Sequence, residues 1–372
     1  MNPKVSFVVP CYKLAHLLGE CVESILSQTF TDFEVLIMDD CSPDNTGEVA
    51  ASFHDPRVRY IRNEPNLGHL RNYNKGIELS RGEYVRLISA DDKLRVPYVL
   101  SRYVDLMDSH PNVGYAFCPG MRTKDGIDVE VLDYSVHGKR DCIVNGRALL
   151  KKLVWSNTII AASGMVRREC YERVSVFPLD MPWAGDWYLW CIFALHFDVG
   201  YFAEPMVCYR THQLSMTNIL MHQNLVSCSR EDVNMPWIVR HKAIEAGYFE
   251  LSRHCLAAAA REYALSIGSM RYRTSESRMT LDEFETSLDG NLSNEKEKRW
   301  IRARVYRDIA DLRYWSGEPK AARQLYWAAL RRDPFMMKSW AKLAAALLGS
   351  TGLRLRKQIN AVRRQLASAR SA

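Results

Sequence analysis

The chain contains 372 residues, of which 47% are apolar and 25% are charged, a composition typical of globular proteins. Its length suits one large domain or two ordinary domains, and its composition excludes a disordered chain, a collagen-like rod and a disulfide miniprotein. The net charge of +7 comes from the C-terminal segment, because no Asp or Glu follows Asp333 whereas eight Lys or Arg do. The rest of the chain is close to neutral, so we expect no nucleic-acid-binding face.

The sequence lacks the usual signals for export and for membrane insertion. No run reaches the roughly 18 uncharged apolar residues that a bilayer-spanning helix needs, and the N-terminus does not have the layout of a signal peptide. The ten cysteines show neither a Cys-x-x-Cys pair nor zinc-ligand spacing. We therefore expect a cytoplasmic protein in a reducing compartment, with peripheral contact to the inner face of the membrane at most.

Strand-like and helix-like patterns alternate over the first 120 residues. Four short apolar runs predict buried parallel strands at 5–10, 33–38, 58–61 and 83–89. Apolar residues at helical spacing predict a helix over 14–25. A second helix can start at Thr46, and a third carries Tyr73 and Ile77. Strands separated by helices indicate an α/β fold with a parallel sheet.

The pattern changes twice further along the chain. Between residues 120 and 220 it is mixed, and it predicts in turn a strand, a helix and two closing strands at 158–166, 186–197, 199–202 and 206–209. Beyond about residue 230, helices rich in Ala, Leu and Arg follow. The order helix, Gly-Glu-Pro turn, helix, Asp-Pro break, helix over 301–345 indicates a tetratricopeptide-like unit. We therefore predict an α/β domain over 1–220 and a helical region over 221–372.

Two pairs of aspartates follow two of the predicted strands. Asp39 and Asp40 come at the end of the second strand, and Asp91 and Asp92 come after the fourth. Open α/β sheets bind ligands at this edge, and carboxylates gathered there repel each other unless a cation offsets them. Hard cations such as Mg²⁺ and Mn²⁺ take carboxylate and phosphate oxygens. No P-loop or Gly-x-Gly-x-x-Gly motif is present, so the pattern indicates a metal–diphosphate site of another kind. The alternative is that each aspartate caps a helix or forms a turn.

Four blocks of the sequence resemble glycosyltransferase family 2, the inverting nucleotide-sugar transferases of GT-A fold. They span about residues 4–217 and read VSFVVPCYKLAHLLGECVESILSQTFTDFEVLIMDDCSPDNT, NLGHLRNYNKGIELSRGEYVRLISADD, FPLDMPWAGDWYLWCIFAL and YRTHQLSMT. The resemblance implies a Rossmann-like, mostly parallel central sheet flanked by helices, with the helical region as an all-α appendage. It also implies transfer of a sugar, with inversion, from a nucleotide-diphosphate donor to a hydroxyl of a glycan or lipid-linked acceptor. A UDP-sugar is the commonest donor in the family.

The first block is implied to bind the nucleotide. In the family, the residues corresponding to Pro10 and Tyr12 border the base. Asp40 would accept a hydrogen bond from the base, with Asp39 in support. Lys13 stands where the family usually has Asn, which leaves the contacts to the edge of the base open at that position.

The second block ends in a motif that resembles the family's Asp-x-Asp metal motif. Asp91 is implied to contact the ribose or its phosphate surroundings, and Asp92, the last residue, to ligate Mn²⁺ or Mg²⁺. Ala90 holds the first position, a substitution that the family tolerates. His212 is a candidate for contact with the metal or the diphosphate, and Arg71 for contact with a phosphate. The alternatives are a structural histidine and a solvated helix residue.

Asp186 is implied to be the catalytic base. A carboxylate can take the proton that the acceptor hydroxyl loses as it attacks the anomeric carbon, and bulky neighbours such as Trp187 can raise the pKa of that carboxylate. The structural alternative, a helix N-cap, is compatible with catalysis. Trp183, in a loop flanked by proline, is a candidate for stacking on the acceptor, although it could equally belong to the core.

The last segment and two other functions complete the predictions. Residues 350–372 have the pattern of a basic amphipathic helix, which could lie on an anionic membrane or pack on the repeat. A sugar nucleotidyltransferase is a rival function, but it would need a glycine-rich phosphate loop after the first strand. A non-catalytic scaffold that uses the helical repeat is another, and the intact Asp40, Asp92 and Asp186 argue against it.

Overall fold

The computed structural model describes residues 2–124, 126–133, 137–268, 279–349 and 351. The chain divides into two compact units, Met1–Asn224 and Leu225–Ala372. The first unit contains the strands and the polar motifs, and the second is helical. The mixed α/β fold with a C-terminal helical region therefore matches the predicted fold class.

Twelve strands run through the described residues of the first unit. They are β1 Val5–Cys11, β2 Phe33–Asp39, β3 Val58–Arg62, β4 Tyr84–Leu87, β5 Lys93–Leu94, β6 Val113–Phe117, β7 Gly120–Lys124, β8 Ile127–Leu132, β9 Cys142–Val144, β10 Met165–Arg167, β11 Asp198–Tyr201 and β12 Val207–Arg210. Eight of them form a central sheet in the order β3-β2-β1-β4-β10-β6-β11-β9. The four strands predicted from the first apolar runs lie side by side and parallel.

Eight helices accompany these strands in the described part of the first unit. They are α1 Ala15–Leu26, α2 Thr46–Ala51, α3 His69–Leu79, α4 Val99–Ser109, α5 Gly146–Leu153, α6 Arg168–Arg173, α7 Gly185–His196 and α8 Met216–Gln223. Every residue of β1 and β2 is buried, as expected for a parallel sheet covered on both faces. Helix α3 packs closely on these strands, because a Cβ added at Gly76 would lie 2.3 Å from Val8 Cγ1.

The other four strands form a second sheet in the order β5-β12-β7-β8. Its first strand, β5, follows β4 closely in the sequence. β5 starts one residue after Asp92 and pairs antiparallel with β12, with Cys208 opposite Lys93. This pairing carries the segment after β12 to the aspartates that follow β4. It explains how residues more than one hundred positions apart meet at one site.

The strand predicted over 158–166 is wrong for most of its length. Residues Ala161–Ser163 form a 3-10 turn, and the strand itself, β10, covers only Met165–Arg167. The Ser163 hydroxyl donates to the Ile160 carbonyl at 2.7 Å and closes the turn. Side-chain hydrogen bonds of this local kind compete with a strand ladder, whereas the apolar pattern of the segment carries no sign of them.

The second unit consists of α9 Leu225–Glu245, α10 Ser252–Ile267, α11 Leu281–Asn291, α12 Glu295–Trp315, α13 Pro319–Arg332 and α14 Met337–Leu347. The last three helices have the order and the breaks that were predicted over 301–345. A small core of Tyr314, Tyr326, Leu330 and Leu343 joins them. Of the predicted basic helix over 350–372, all but residue 351 lies outside the described residues. None of the helices in the described ranges is long and apolar enough to cross a membrane.

Candidate functional site

Asp39, the last residue of β2, is fully buried and well supplied with hydrogen-bond donors. One of its carboxylate oxygens accepts from the Ser42 N–H at 2.8 Å. The other accepts from the Tyr60 hydroxyl at 2.6 Å and from Arg62 Nη1 at 2.8 Å. The Arg62 guanidinium also supplies the opposite charge. This carboxylate therefore fastens the loop after β2 to the neighbouring strand β3.

Asp40 is also buried and holds the loop that leads into α3. It accepts from Asn63 Nδ2 at 2.9 Å, from the Leu67 N–H at 2.8 Å and from the Gly68 N–H at 2.9 Å. Gly68 has a φ of +82°, a conformation that glycine adopts without steric cost. A carboxylate has about four acceptor positions. One of them is left for the hydrogen bond from a base that was predicted for Asp40.

Pro10 and Tyr12 lie at the carboxyl end of β1, beside this loop. Pro10 is buried within the strand, whereas Tyr12 is 43% exposed. The Lys13 Nζ lies 5.0 Å from the centroid of the Tyr12 ring, so the aromatic face at this sheet edge carries a cation beside it. An exposed ring at this place is suited to stacking on a planar ligand, and the predicted contact with a nucleotide base stays a prediction.

Asp91 and Asp92 lie in the turn after β4, and both are buried. Asp91 Oδ2 lies 2.9 Å from His212 Nε2, and Asp92 Oδ1 accepts from the Arg210 N–H at 3.0 Å. Both partners come from β12 and the residues after it. The Arg210 guanidinium donates to Glu20 at 2.5 Å, while its other terminal nitrogen, Nη1, is buried without a hydrogen-bond partner among the described residues.

The negative charge at Asp92 is only partly offset. Burial, followed by the neighbouring Asp91 carboxylate, raises the pKa of Asp92 well above its ordinary value, although the N–H and charge of Arg210 act in the opposite direction. Within the described ranges, no group of three or more His, Cys, Asp or Glu side chains could hold a metal ion. A buried carboxylate whose negative charge is only partly offset fits a hard divalent cation whose remaining ligands are phosphate oxygens and water. Asp92 would hold that cation, and the predicted contribution of His212 is untested.

Asp186 lies in the first turn of α7, at the N-terminal end of the helix, and is half-buried. Its Oδ1 accepts from the Trp187 N–H at 2.7 Å, and its Oδ2 accepts from Asn157 Nδ2 at 3.1 Å. Asn157 Oδ1 in turn accepts from the Ile159 N–H at 3.2 Å, which directs the amide nitrogen to Asp186. Burial raises the pKa of Asp186 to about 6, although both hydrogen bonds lower it. A carboxyl group with this pKa can exchange a proton near neutral pH.

Two tyrosines lie within electrostatic reach of several of these aspartates. Burial raises the pKa of Tyr73, on α3, and the negative charges that raise it further are those of Asp91, Asp186, Asp92 and Asp40. Burial likewise raises the pKa of Tyr209, on β12, and the charges that add to it are those of Asp92, Asp91 and Asp186. Electrostatic interaction falls off with distance. The carboxylates after β2 and β4 and at the start of α7 therefore lie within electrostatic reach of Tyr73, and the roles predicted for them stay predictions.

Helix α3 also holds the loop that precedes Asp186. His69 Nε2 donates to the Pro182 carbonyl at 3.1 Å. Asn74 exchanges two hydrogen bonds with the backbone of Phe177, at 2.8 and 2.9 Å. Trp183 is half-buried in this loop, whereas Arg71 is exposed on α3. Neither predicted role, acceptor stacking or phosphate contact, is tested by these positions.

Sequence reasoning missed several side chains of the site. Asn63 and Asn157 donate hydrogen bonds to carboxylates, Tyr73 lies within electrostatic reach of several carboxylates, and the Arg210 N–H donates to Asp92. Tyr73 and Arg210 stand inside the blocks that resemble the family, and their presence in those blocks was a signal that sequence reasoning could have used. Asn157 lies outside every block and outside any periodic pattern. Nothing in the sequence alone connects it to Asp186.

Comparison with known proteins gives a match to a family model. The model of "Glycosyl transferase family 2" matches residues 6–168. An uncharacterized protein of Mycobacterium tuberculosis is 36% identical over 126 residues, which cover 34% of this chain and 39% of that protein. "Glycosyltransferase GlyG" of Streptococcus pneumoniae is 35% identical over 115 residues, which cover 30% of this chain and 38% of that protein. The chain thus spans about two fifths of the length of these relatives.

Solved structures match over more of the chain. The crystal structure of S. aureus TarS 1-349 in complex with UDP-GlcNAc has a TM-score of 0.58 with 15% sequence identity. The match covers 89% of this chain and 88% of that chain. A likeness at this level of identity establishes the fold, which is the predicted GT-A arrangement with helices at the C-terminus.

Proposed function

We propose that the protein is an inverting glycosyltransferase, because the model of "Glycosyl transferase family 2" matches residues 6–168. It would move a sugar from a nucleotide-diphosphate donor to a hydroxyl group of a glycan or lipid-linked acceptor. The observation that carries the proposal is the convergence of Asp40, Asp91, Asp92 and Asp186 around Tyr73. On this proposal, a loop for the nucleotide, an aspartate pair for a cation and a carboxyl group able to exchange a proton near neutral pH would lie close together.

The donor is proposed to lie along the edge formed by β1, β2 and the turn after β4. Tyr12 would stack on the base, and Asp40 would use its remaining acceptor position for an N–H of the base. Asp91 would contact the ribose. A UDP-sugar is the proposed donor class, since the similar TarS structure contains UDP-GlcNAc.

Asp92 is proposed to hold Mn²⁺ or Mg²⁺ together with the diphosphate of the donor. When bound, the cation supplies positive charge that stabilises the departing diphosphate. Arg210 adds a further cation, since its Nη1 is buried without a partner in the described part of the chain. Asp92 would remain ionised in that state, because the added positive charge opposes the effects of burial and of the Asp91 charge, which raise its pKa.

Asp186 is proposed to be the base that deprotonates the acceptor hydroxyl. The acceptor hydroxyl would pass its proton to Asp186 as its oxygen attacks the anomeric carbon from the side opposite the diphosphate. This single displacement would invert the configuration at that carbon. Asn157 would act as a positioning residue, because its amide holds Asp186 Oδ2 in a defined direction. Trp183, in the loop before α7, would contact the acceptor.

A donor-binding assay and a turnover assay test the proposal together. Thermal shifts should be measured with UDP-, GDP- and dTDP-sugars, with and without Mn²⁺, since a ligand that binds the folded state raises the melting temperature. We expect a Mn²⁺-dependent shift with UDP-sugars. Asp186→Asn should retain this shift but lose Mn²⁺-dependent hydrolysis or transfer of the donor by about 100-fold or more.

The matched control is Asp180→Asn, which removes an exposed carboxylate in the loop before α7, six residues before Asp186. It should leave both binding and turnover unchanged. If no nucleotide sugar shifts the melting temperature, the proposed function is wrong. If Asp186→Asn loses donor binding, the residue has a role other than the base.

A further inference from the structure

Four large apolar side chains lie exposed where α13 turns into α14. Phe335 and Met337 are 88% and 76% exposed, and Trp327 and Trp340 are 45% and 41% exposed. Together with the exposed cations Arg331 and Lys338 they form what we call the α13–α14 patch. Side chains of this kind are usually buried, so four exposed ones at and around the turn between two helices indicate a binding surface.

The α13–α14 patch is a shaped surface and takes no part in the core of the unit. The two tryptophan rings meet edge to face, with centroids 5.7 Å apart. Trp340 Nε1 donates to the Pro334 carbonyl at 2.9 Å, which ties the helix to the turn. The buried core of these helices is formed by other residues, among them Tyr314, Tyr326 and Leu343. Substitutions in the patch should therefore leave the fold intact.

The charge around the patch is positive. Arg331 and Lys338 flank the turn, and neither has an ion pair within the described ranges. Asp333, the acidic residue of the turn, accepts from the Phe335 N–H at 3.1 Å. No Asp or Glu follows it in the sequence.

We propose that the α13–α14 patch binds the surface of a bilayer that contains anionic phospholipids. Phe335 and Met337 enter the boundary between headgroups and acyl chains, where apolar side chains gain burial. Trp327 and Trp340 lie at headgroup level, the depth at which tryptophan is enriched. Arg331 and Lys338 pair with lipid phosphates.

The charges favour this occupant over two others. A second copy of the chain would bring the same cations against the patch, and like charges resist such contact. The chain's own residues 352–372 contain six Lys or Arg and no acidic residue, so they would meet the same repulsion. An anionic lipid surface supplies the charge that both lack.

Vesicle binding by the full chain tests the proposal without any need for enzymatic activity. The protein should cosediment with vesicles of phosphatidylcholine containing phosphatidylglycerol and should bind much less to phosphatidylcholine alone. Phe335→Ala with Met337→Ala should weaken binding about tenfold or more. Arg331→Gln with Lys338→Gln should weaken it about fivefold for each charge removed.

Phe249→Ala is the matched control, because Phe249 is 67% exposed in the same unit but stands beside Glu250. This variant should bind as the wild type does. Lipids brominated in their acyl chains should quench tryptophan emission of the wild type, and this quenching should fall in the Trp327→Phe, Trp340→Phe double variant.

Three outcomes would overturn the proposal. The first is unchanged binding by the Phe335→Ala, Met337→Ala variant. The second is loss of binding only when Arg356, Lys357, Arg363 and Arg364 are changed to Gln, which would assign the membrane contact to the final segment. The third is a concentration-dependent dimer that the patch variants dissociate, which would make a second copy the occupant.

Discussion

Two pairs of adjacent aspartates lie at the same edge of the central sheet, but the protein treats their charges differently. Asp39 and Asp40 each accept three hydrogen bonds, and Arg62 pairs with the first of them. Asp92 accepts one, from a backbone N–H, and burial beside Asp91 raises its pKa. A satisfied carboxylate stabilises the fold, whereas one short of donors is available to a cation or a proton. The two pairs look alike in the sequence, and only their hydrogen-bond partners in the structure separate carboxylates that hold a loop from one that could hold a cation.

Asp92→Asn should have the largest effect among the tests of this contrast. Loss of the carboxylate should lower Mn²⁺-dependent turnover about 1000-fold, because the cation would no longer be held at the leaving group. The melting temperature without metal should not fall, since the substitution removes a buried charge that the site offsets only in part. Steady-state assays and thermal melts measure both quantities. Asp105→Asn, on the exposed face of α4, is the control, and equal turnover by both variants would refute the contrast.

Asp40→Ala should show the opposite behaviour and reduce stability. Three donors in the loop before α3 would lose their acceptor, which should lower the free energy of unfolding by about 3 kcal/mol. Urea denaturation monitored by circular dichroism measures this change. Glu48→Ala, in the neighbouring helix α2, removes a carboxylate for which the structure records no ion pair and should cost much less. A stable Asp40→Ala variant would show that the loop is held by other means.

The pH dependence of turnover should follow Asp186. The base is active when ionised, and its pKa is about 6, so kcat/KM should be constant above this pH. Below it, kcat/KM should fall about tenfold for each pH unit. A profile measured from pH 4.5 to 8.5 with saturating Mn²⁺ tests this expectation. A limb near pH 4, the range of an ordinary aspartate, would mean that the residue is not desolvated in the working enzyme.

Asn157→Ala should have the smallest effect. Its amide donates to the ionised form of Asp186, so its loss should shift the acidic limb of the profile to higher pH and reduce kcat several-fold. KM for the donor should not change, because the contact is to the base. Asn145→Ala, at the cap of α5, removes an amide of the same size elsewhere. An unshifted limb would exclude the positioning role.

The sequence predicted those parts of the fold in which local pattern and burial agree. β1 and β2 have continuous apolar sequences because both faces of these strands are covered. The sequence of α1 has helical periodicity because only one face of this helix is buried. The bounds of β10 were predicted wrongly, because its three residues follow a turn that the Ser163 hydroxyl closes. The four-stranded sheet was not predicted because β12 is short and pairs with β5 and β7 across long stretches of chain. For the same reason the alignment of β12 with Asp92 was not visible before the structure.

The site was predicted to a similar extent and with a similar limit. The aspartates stand out because two adjacent carboxylates at a strand end are unusual. Their partners do not stand out, because Asn63, Asn157 and Tyr73 are ordinary residues that gain significance only from contacts. The sequence therefore located the aspartates, and the structure separated the carboxylates with several hydrogen-bond donors from the one with a single donor.

The place of β10 in the central sheet has a consequence for the order of assembly during synthesis. β10 is the only bridge between β4 and β6 in the described sheet, and it leaves the ribosome about 50 residues after β6. Until then β4 and β6 each present an unpaired edge, which is prone to pair with other chains. The ribosome must therefore deliver Met165–Arg167 before either edge can be sealed, and a stall just upstream would leave an aggregation-prone intermediate.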